Sequence, residues 1–514
     1  MHPLDLTVLA AYLGATWLIA ARFVRRHRSA ADYFVTGRRV PWWAVMASIV
    51  ATETSTITFV SIPGVAFTGD LRFLQLALGY QVGRVAIVLF LMPAYFRGEL
   101  MTAYELLGTR FDSRVRRIAS GIFIATRSLA DGLRLFATGL IVAIMLLSVP
   151  AMADATDLAA PWLAPTAQAL VAAVIVLGFV TIAYTWVGGM TAVIWTDVAQ
   201  LVLYLTGALA AAAILLDGIP GGLTEAWSVA ADAGKLRIFD FSMSLTQSYT
   251  VWSGVIGGAF LTAATHGTDQ LLVQRYLSCS SARQASLALL VSGVVVFAQF
   301  ALFLGLGLLL YVFYTHHAPA GELAAFTTPA GQLQPDRILP TFIVNHLPPG
   351  LAGLVCASAL AAAMSTLSSS LNSLSAASVN DFYRPWRRLA AGAPALLVAA
   401  RRATLFWGFV LVAVALAAIG LSQRVVDEVL GIASFTNGLV LGLFVLGVWT
   451  AVSPPAAFLG VAGGAMGMLA IRVLTAVSWQ WYVLAGAVLT VGCGLLAHRL
   501  LEGSRTQGLE RGDQ

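Results

Sequence analysis

The sequence predicts an all-α polytopic membrane protein of about thirteen spans, and three observations carry that reading. Hydrophobic residues make up 59% of the 514 positions and charged residues only 11%, against roughly a quarter charged in a water-soluble domain. Mean hydropathy is +0.84. Apolar runs on the order of 20 residues, the length needed to cross about 30 Å of hydrocarbon as a helix, recur from one end of the chain to the other. Within lipid a helix satisfies every backbone amide inside its own segment, so runs of this length are read as helices.

The first span is expected at 4–22. Arg22, Arg25, Arg26 and Arg28 follow at once with no small-residue cleavage site, so it reads as a retained helix. Spans two to six are expected at 41–66, 72–96, 118–147, 167–186 and 189–216. Spans seven to eleven follow at 249–271, 283–314, 350–378, 400–420 and 427–449, and the last two at 453–475 and 480–498. The whole of 1–514 is expected to be one transmembrane transporter domain. It divides into a first helix and loop (1–40), repeat one (41–216), repeat two (249–449), two closing helices (450–498) and a tail (499–514).

Most of the 30 Lys and Arg residues fall in the loops and tail on one side. The positive-inside rule makes that side cytoplasmic, with the N-terminus outside and the C-terminus inside a plasma (inner) membrane. The net charge of +6 is then cytoplasmic anchoring, not a nucleic-acid surface. Cys279, Cys356 and Cys493 are odd in number and far apart, which gives neither a disulfide framework nor a metal site. The partners expected are sodium ions, a small-molecule substrate and lipid, with no nucleic acid and no obligate protein partner.

Non-helical backbone at bilayer depth is tolerated only where protein or a water-filled cavity covers it, so a span that should unwind marks a site. The second span carries Thr52, Glu53, Thr54, Ser55, Thr56 and Thr58, then Pro63 and Gly64. The seventh has Gly254, Gly257 and Gly258, then Thr265, His266 and Gly267. These spans are five apart, the spacing of an inverted repeat with spans two to six as one copy and seven to eleven as the other.

The ninth span places Ser365, Thr366, Ser368, Ser369 and Ser370 within six residues. Sodium is a hard cation that prefers oxygen ligands. At 1.5 Å per residue, Ala51, Asp197 and Ser369 all lie about 12 to 15 Å in from the cytoplasmic face. A carboxylate at that depth needs a partner, and a cation is one. Asp197 with Ser365, Ser368 and Ser369 is therefore one expected sodium site. The Ala51 and Thr54 carbonyls with Ala362, Ser365 and Thr366 form the other.

Four strings in order along the chain resemble one family. They are Asp32-Tyr33-Phe34 with Gly37-Arg38, and Gly188-Gly189 through Thr196-Asp197 to Gln200. Thr268-Asp269-Gln270 with Gln274-Arg275 is the third, and Met364-Ser365-Thr366 through Asn372-Ser373 into Asp381-Phe382-Tyr383 the fourth. On these strings the chain is similar to the sodium:solute symporters, also called solute carrier family 5. The resemblance implies a LeuT-like 5+5 inverted repeat with one extra N-terminal and two extra C-terminal helices, and alternating access driven by sodium. It also implies the main sodium site on Ala51, Thr54, Ala362, Ser365 and Thr366, and a second on Asp197, Ser368 and Ser369. Glu53 stands where many relatives carry a neutral polar residue.

In the fourth span Arg127, Asp131 and Arg134 share one helical face. With Glu53 and Arg84 at comparable depth, these five charges sum to +1. They either neutralise one another or leave one guanidinium for a substrate, gripping a carboxylate by two parallel hydrogen bonds. Candidate substrate contacts are Glu53, Ser55, Thr58, Gln75, Arg127, His266 and Asn437, with Tyr80, Trp195 and Trp252 as possible covers. The function expected is sodium-coupled symport of a small polar organic solute of the sugar, polyol, monocarboxylate or sialic-acid class. The alternatives are a transporter-like sensor or a passive channel. An intramembrane enzyme is disfavoured by the absence of a nucleophile and base, or of ligand-spaced His pairs, on the expected helices.

Overall fold

The structure is a computed structural model that describes residues 2–23, 28–98, 100–147, 165–319, 321–327, 333–419 and 423–512. Every expected span has a helical counterpart. α1 is Pro3–Ala21, α2 is split into Trp42–Glu53 and Thr56–Thr68, α3 is Leu74–Phe90 and α4 is Ser113–Leu147. Pro165–Asp217 is one helical run of 53 residues, about 80 Å at 1.5 Å per residue and too long for a single crossing. It breaks at Gly189 (φ +51°, ψ −158°), where a side-chain carbon would lie 2.8 Å from the Tyr33 ring, giving α5 (165–188) and α6 (190–217). α7 is Gly258–Gly267 and α8 is Ala282–Val312. α9 is Leu351–Ala377, α10 Pro394–Ala417, α11 Gln423–Trp449, α12 Pro454–Leu474 and α13 Tyr482–Gly512.

Among the described residues, seven helices are long and apolar enough to cross a membrane on length and composition alone, or eight with the bent α2 pair counted as one. The other expected crossings fall short for identifiable reasons. Pro165–Asp217 counts once though it holds two, α3 has 17 residues, α4 carries Arg127, Asp131 and Arg134, and α7 is interrupted.

The second span is broken where its hydroxyls cluster. The last backbone bond of its first piece runs from the Thr54 N–H to the Val50 carbonyl at 3.1 Å. Thr54 then turns to φ −88°, ψ 102°. Ser55 caps the second piece by accepting the Thr58 N–H at 3.2 Å, because Ser and Thr side chains offer the backbone an alternative to the helical ladder. The two pieces meet at 61°.

The seventh span breaks at the second of its two marked stretches, after Gly267, and not at Gly254 to Gly258. A side-chain carbon on Gly79 of α3 would lie 2.3 Å from the Gly254 carbonyl, and one on Gly83 2.5 Å from that of Ala259. These glycines let α3 and the seventh span touch backbone to backbone, as small residues do in membranes. Ser253–Gly257 forms a π-turn. The helix ends only at Gly267, and Asp269 starts a buried short helix, Gln270–Tyr276, by accepting the Leu271 N–H at 2.8 Å.

Two large apolar clusters fill the interior. On α6 one holds Met190 to Ile194 and the other Leu201 to Leu215; on α9 one holds Leu360 to Leu374 and the other Val355 to Ala359. The boundary passes Asp197 and the residues just before the serine-rich turn of α9, so a polar layer separates two greasy halves. The extra helix α1 fixes α9 from outside the repeats. The Asp5 carboxylate accepts the Gly350 and Gly353 N–H groups at 2.7 and 2.8 Å, satisfying amides at a helix start that have no partner of their own.

Candidate ion and solute site

The polar layer centres on Asp197, which is 0% exposed. Its Oδ1 accepts from Ser365 Oγ at 2.6 Å, and its Oδ2 from Ser48 Oγ at 2.5 Å and from Arg275 Nη2 at 3.1 Å. Thr52 Oγ1 stands 3.5 Å from Oδ2 and 3.2 Å from Ser369 Oγ. Arg275 also donates to Ser369. Ser368 and Ser369 turn their hydroxyls onto the Ser365 carbonyl at 3.0 and 2.5 Å. Asp197, Ser365, Ser368 and Ser369 thus come together, with Ser48, Thr52 and Arg275 added. Ser48 and Thr52 were not among the expected ligands, although their i, i+4 spacing on α2 puts both hydroxyls on one face. Arg275, expected among the cytoplasmic loop cations, is instead buried.

The other expected set lies at the crossing of the α2 break and α9. Thr366 Oγ1 reaches the Thr52 carbonyl at 3.4 Å and that of Ala362 at 3.3 Å, and Thr56 Oγ1 donates to the Ala359 carbonyl at 2.8 Å. The side chain of Thr54 is held from behind by Gln299 Nε2 at 2.5 Å. Because the helical ladder stops at Thr54, the carbonyls from Ala51 to Thr54 have no following helical amide.

Beside this layer lies a cavity of about 480 Å³ whose lining includes Thr52, Glu53, Ser55, Thr58, Arg127, His266, Thr366 and Asn437. Gln75 is not part of it. Its amide donates to the Tyr249 carbonyl at 2.7 Å and accepts the Asp240 N–H at 3.1 Å, pinning the loop between α6 and α7. Of the three expected covers only Tyr80 lines the cavity, with Phe73 and Phe300 beside it. Trp195 packs on Trp43, and Trp252 donates to the Phe241 carbonyl.

The charges of the cavity wall are paired. Arg84 bonds Glu53, and His266 Nε2 lies 3.3 Å from each of them. Arg127 bonds Asp269 and stands 3.6 Å from Asp131. Arg134 Nη1 bonds Asp131 at 2.6 Å, and Ser370 donates to the same carboxylate. The surplus of +1 expected from five charges disappears because Asp269, noted only as part of a motif, closes the network at zero. Arg127 is committed to Asp269 with its side chain 14% exposed, whereas that of Arg134 is 35% exposed and makes one ion pair.

A family model described as the sodium:solute symporter family matches residues 33–464. The chain belongs to that family. The symporter is 30% identical over 499 residues to the sodium/sialic acid symporter NanT of Aliivibrio fischeri, covering 96% of this chain and 92% of the relative. It is 30% identical to the human sodium/iodide cotransporter over 446 residues, 85% of this chain and 64% of the relative. A solved structure of a Na⁺-coupled sialic acid symporter in a substrate-bound outward-open state superposes with TM-score 0.82 at 28% identity, over 97% of this chain and 98% of that one. MhsT in complex with L-phenylalanine, at 14% identity and TM-score 0.53, shares the fold, with 89% of this chain and 98% of that one covered. The symporter therefore has the LeuT-like architecture, is a transporter and not an enzyme, and couples solute movement to sodium across the membrane it spans.

Proposed function

We propose that the symporter binds two sodium ions in the polar layer and carries a small anionic or hydroxyl-rich solute in the adjoining cavity, from the sialic-acid, monocarboxylate, sugar or polyol class. One ion is held by Asp197 with Ser365, Ser368 and Ser369. The other is held by the carbonyls of Ala51, Thr54 and Ala362 with the hydroxyls of Ser365 and Thr366. The solute meets Ser55, Thr58 and Asn437, with the exposed edge of Arg134 facing its anionic or hydroxylated end. The N-terminus lies outside and the C-terminus in the cytoplasm of the inner membrane.

The observation that carries the reading is the sharing of Thr52 and Thr366. Both line the solute cavity, and both touch the oxygen cluster. Coupling requires that ion and solute favour the same conformation, and an ion that fixes the α2 break against α9 fixes two walls of the cavity. A volume of about 480 Å³ suits a small organic molecule. Relatives named for sialic acid and for monocarboxylates support the class.

The test is a thermal-shift screen of the purified protein against sialic acids, monocarboxylates, sugars and polyols, in sodium and in potassium. A bound ligand raises apparent stability by mass action. One compound is expected to stabilise in sodium only. Equal stabilisation in both salts, or none by any of these classes, would refute the proposal.

A further inference from the structure

We propose that Gln200 supplies a further oxygen ligand to the sodium ion at Asp197, and that Tyr12 of the extra helix α1 is the positioning residue that sets which end of the Gln200 amide faces that ion. The inference rests on reading the Asp197 cluster as a sodium site.

Asp197 and Gln200 are three apart on a regular stretch of α6, so they share a face. Gln200 is 0% exposed. Its amide nitrogen donates to the Tyr12 hydroxyl at 3.0 Å, while its Oε1 is buried and accepts from nothing. A buried acceptor left without a donor is costly, and a bound cation removes that cost. The orientation of the amide follows from its neighbours. Tyr12 gives its hydroxyl hydrogen to Met364 Sδ at 3.5 Å, so towards Gln200 it can only accept. Tyr184, beside the same amide, gives its hydrogen to the Met364 carbonyl at 3.0 Å. The Tyr12 hydroxyl holds the NH₂ end and the Tyr184 hydroxyl offers a further lone pair, which leaves the carbonyl end of the amide without a donor.

Asp197 Oδ2 is taken by Ser48 and Arg275, whereas Oδ1 has Ser365 as its hydrogen-bond donor, and Ser365 follows Met364 directly. Arg275 already balances the charge of Asp197. A sodium ion therefore enters a site of no net negative charge, where neutral oxygen dipoles must hold it, and an amide carbonyl is a strong dipole that adds no charge.

The experiment measures sodium binding to the full-length purified protein without any solute, by ²²Na⁺ scintillation proximity and by thermal stabilisation as NaCl replaces KCl. Gln200→Met, similar in length but lacking the oxygen, is expected to raise the midpoint of the Asp197-dependent ion about tenfold. Gln200→Glu, which restores an oxygen, is expected to keep or lower it. Tyr12→Phe is expected to raise it about threefold, and to add nothing when combined with Gln200→Met, a non-additivity that loss of packing would not give. Asp197→Asn is the reference and should lose one bound ion. If Asp197→Asn loses an ion but Gln200→Met binds with wild-type midpoint and stoichiometry, the Gln200 inference is overturned and the Asp197 reading stands. If Asp197→Asn loses nothing, both fall.

Discussion

The polar layer and the wall of the solute cavity are built from the same components, carboxylates beside guanidinium groups, yet they do opposite things with them. In the layer one carboxylate and one guanidinium sit among hydroxyls from α2 and α9, and oxygen atoms outnumber charges. Along the cavity wall three carboxylates meet three guanidinium groups and cancel, leaving part of one guanidinium exposed. The first arrangement has spare oxygen and no spare charge, which suits a small cation stripped of water. The second has a spare donor edge beside hydroxyls, which suits a solute that accepts hydrogen bonds. A charged residue at bilayer depth thus marks a site, and the ratio of oxygen to charge around it distinguishes the site's ligand.

The largest effect expected from breaking this contrast is at Arg275. Removing one partner of a buried pair leaves the other uncompensated, at about 3–5 kcal/mol. Arg275→Gln should lower the melting temperature sharply in potassium, and sodium should restore more of it than in the wild type, because Asp197 would then depend on the ion alone. Thermal unfolding in the two salts checks this, and a variant as stable as wild type in potassium would mean that Arg275 does not carry the charge balance. A smaller effect separates the two arginines of α4. Arg134→Gln should raise KM for a carboxylate solute at least tenfold, the scale of one charge-assisted hydrogen bond, and change uptake of a neutral sugar little. Arg127→Gln should instead lower stability and impair both solutes alike, since it strands Asp269. If Arg127 rather than Arg134 discriminated between the solutes, the assignment of the exposed edge would be reversed.

What could be read from the sequence followed the physics that acts locally. Length and hydropathy anticipated a helix at each expected span among the described residues, because a bilayer fixes how long each must be. The break in α2 was legible, since Thr54 and Ser55 compete with the helix for its own amides. The convergence of Asp197 with Ser365 and Ser369 was legible from depth, because a spanning helix converts residue number into height. Of the two stretches marked in the seventh span, Thr265 to Gly267 is where the helix ends, whereas Gly254 and Gly258 look like interruptions and are contact points for α3. Arg275 was misplaced because the break at Thr268 turns the following short helix inward, a tertiary event with no local signal. Gln75 has the chemistry of a substrate contact, and only the path of the distant Asp240 loop shows that it is used up elsewhere.

That loop supplies the smallest of the expected effects and a control for the other two. Asp240 accepts the Ser242 N–H at 3.1 Å and pairs with Arg72 at 2.8 Å and Arg237 at 3.3 Å. Hydrogen bonds from Ser242 first, then the guanidinium groups, hold its carboxyl down at about 2. A carboxyl depressed in the folded state contributes stability above its ordinary value near 4 and loses it as pH falls towards 2. The fastening of residues 237–249 to the start of α3 is therefore expected to be independent of pH from about 5 upward. Asp240→Asn should speed amide exchange in residues 70–76 and 237–251 a few-fold, the scale of a weakened local contact. Sodium affinity should not change, because the loop touches neither the polar layer nor Arg134. A shift in sodium midpoint with this variant would mean that the loop between α6 and α7 reaches the ion layer as well as the start of α3.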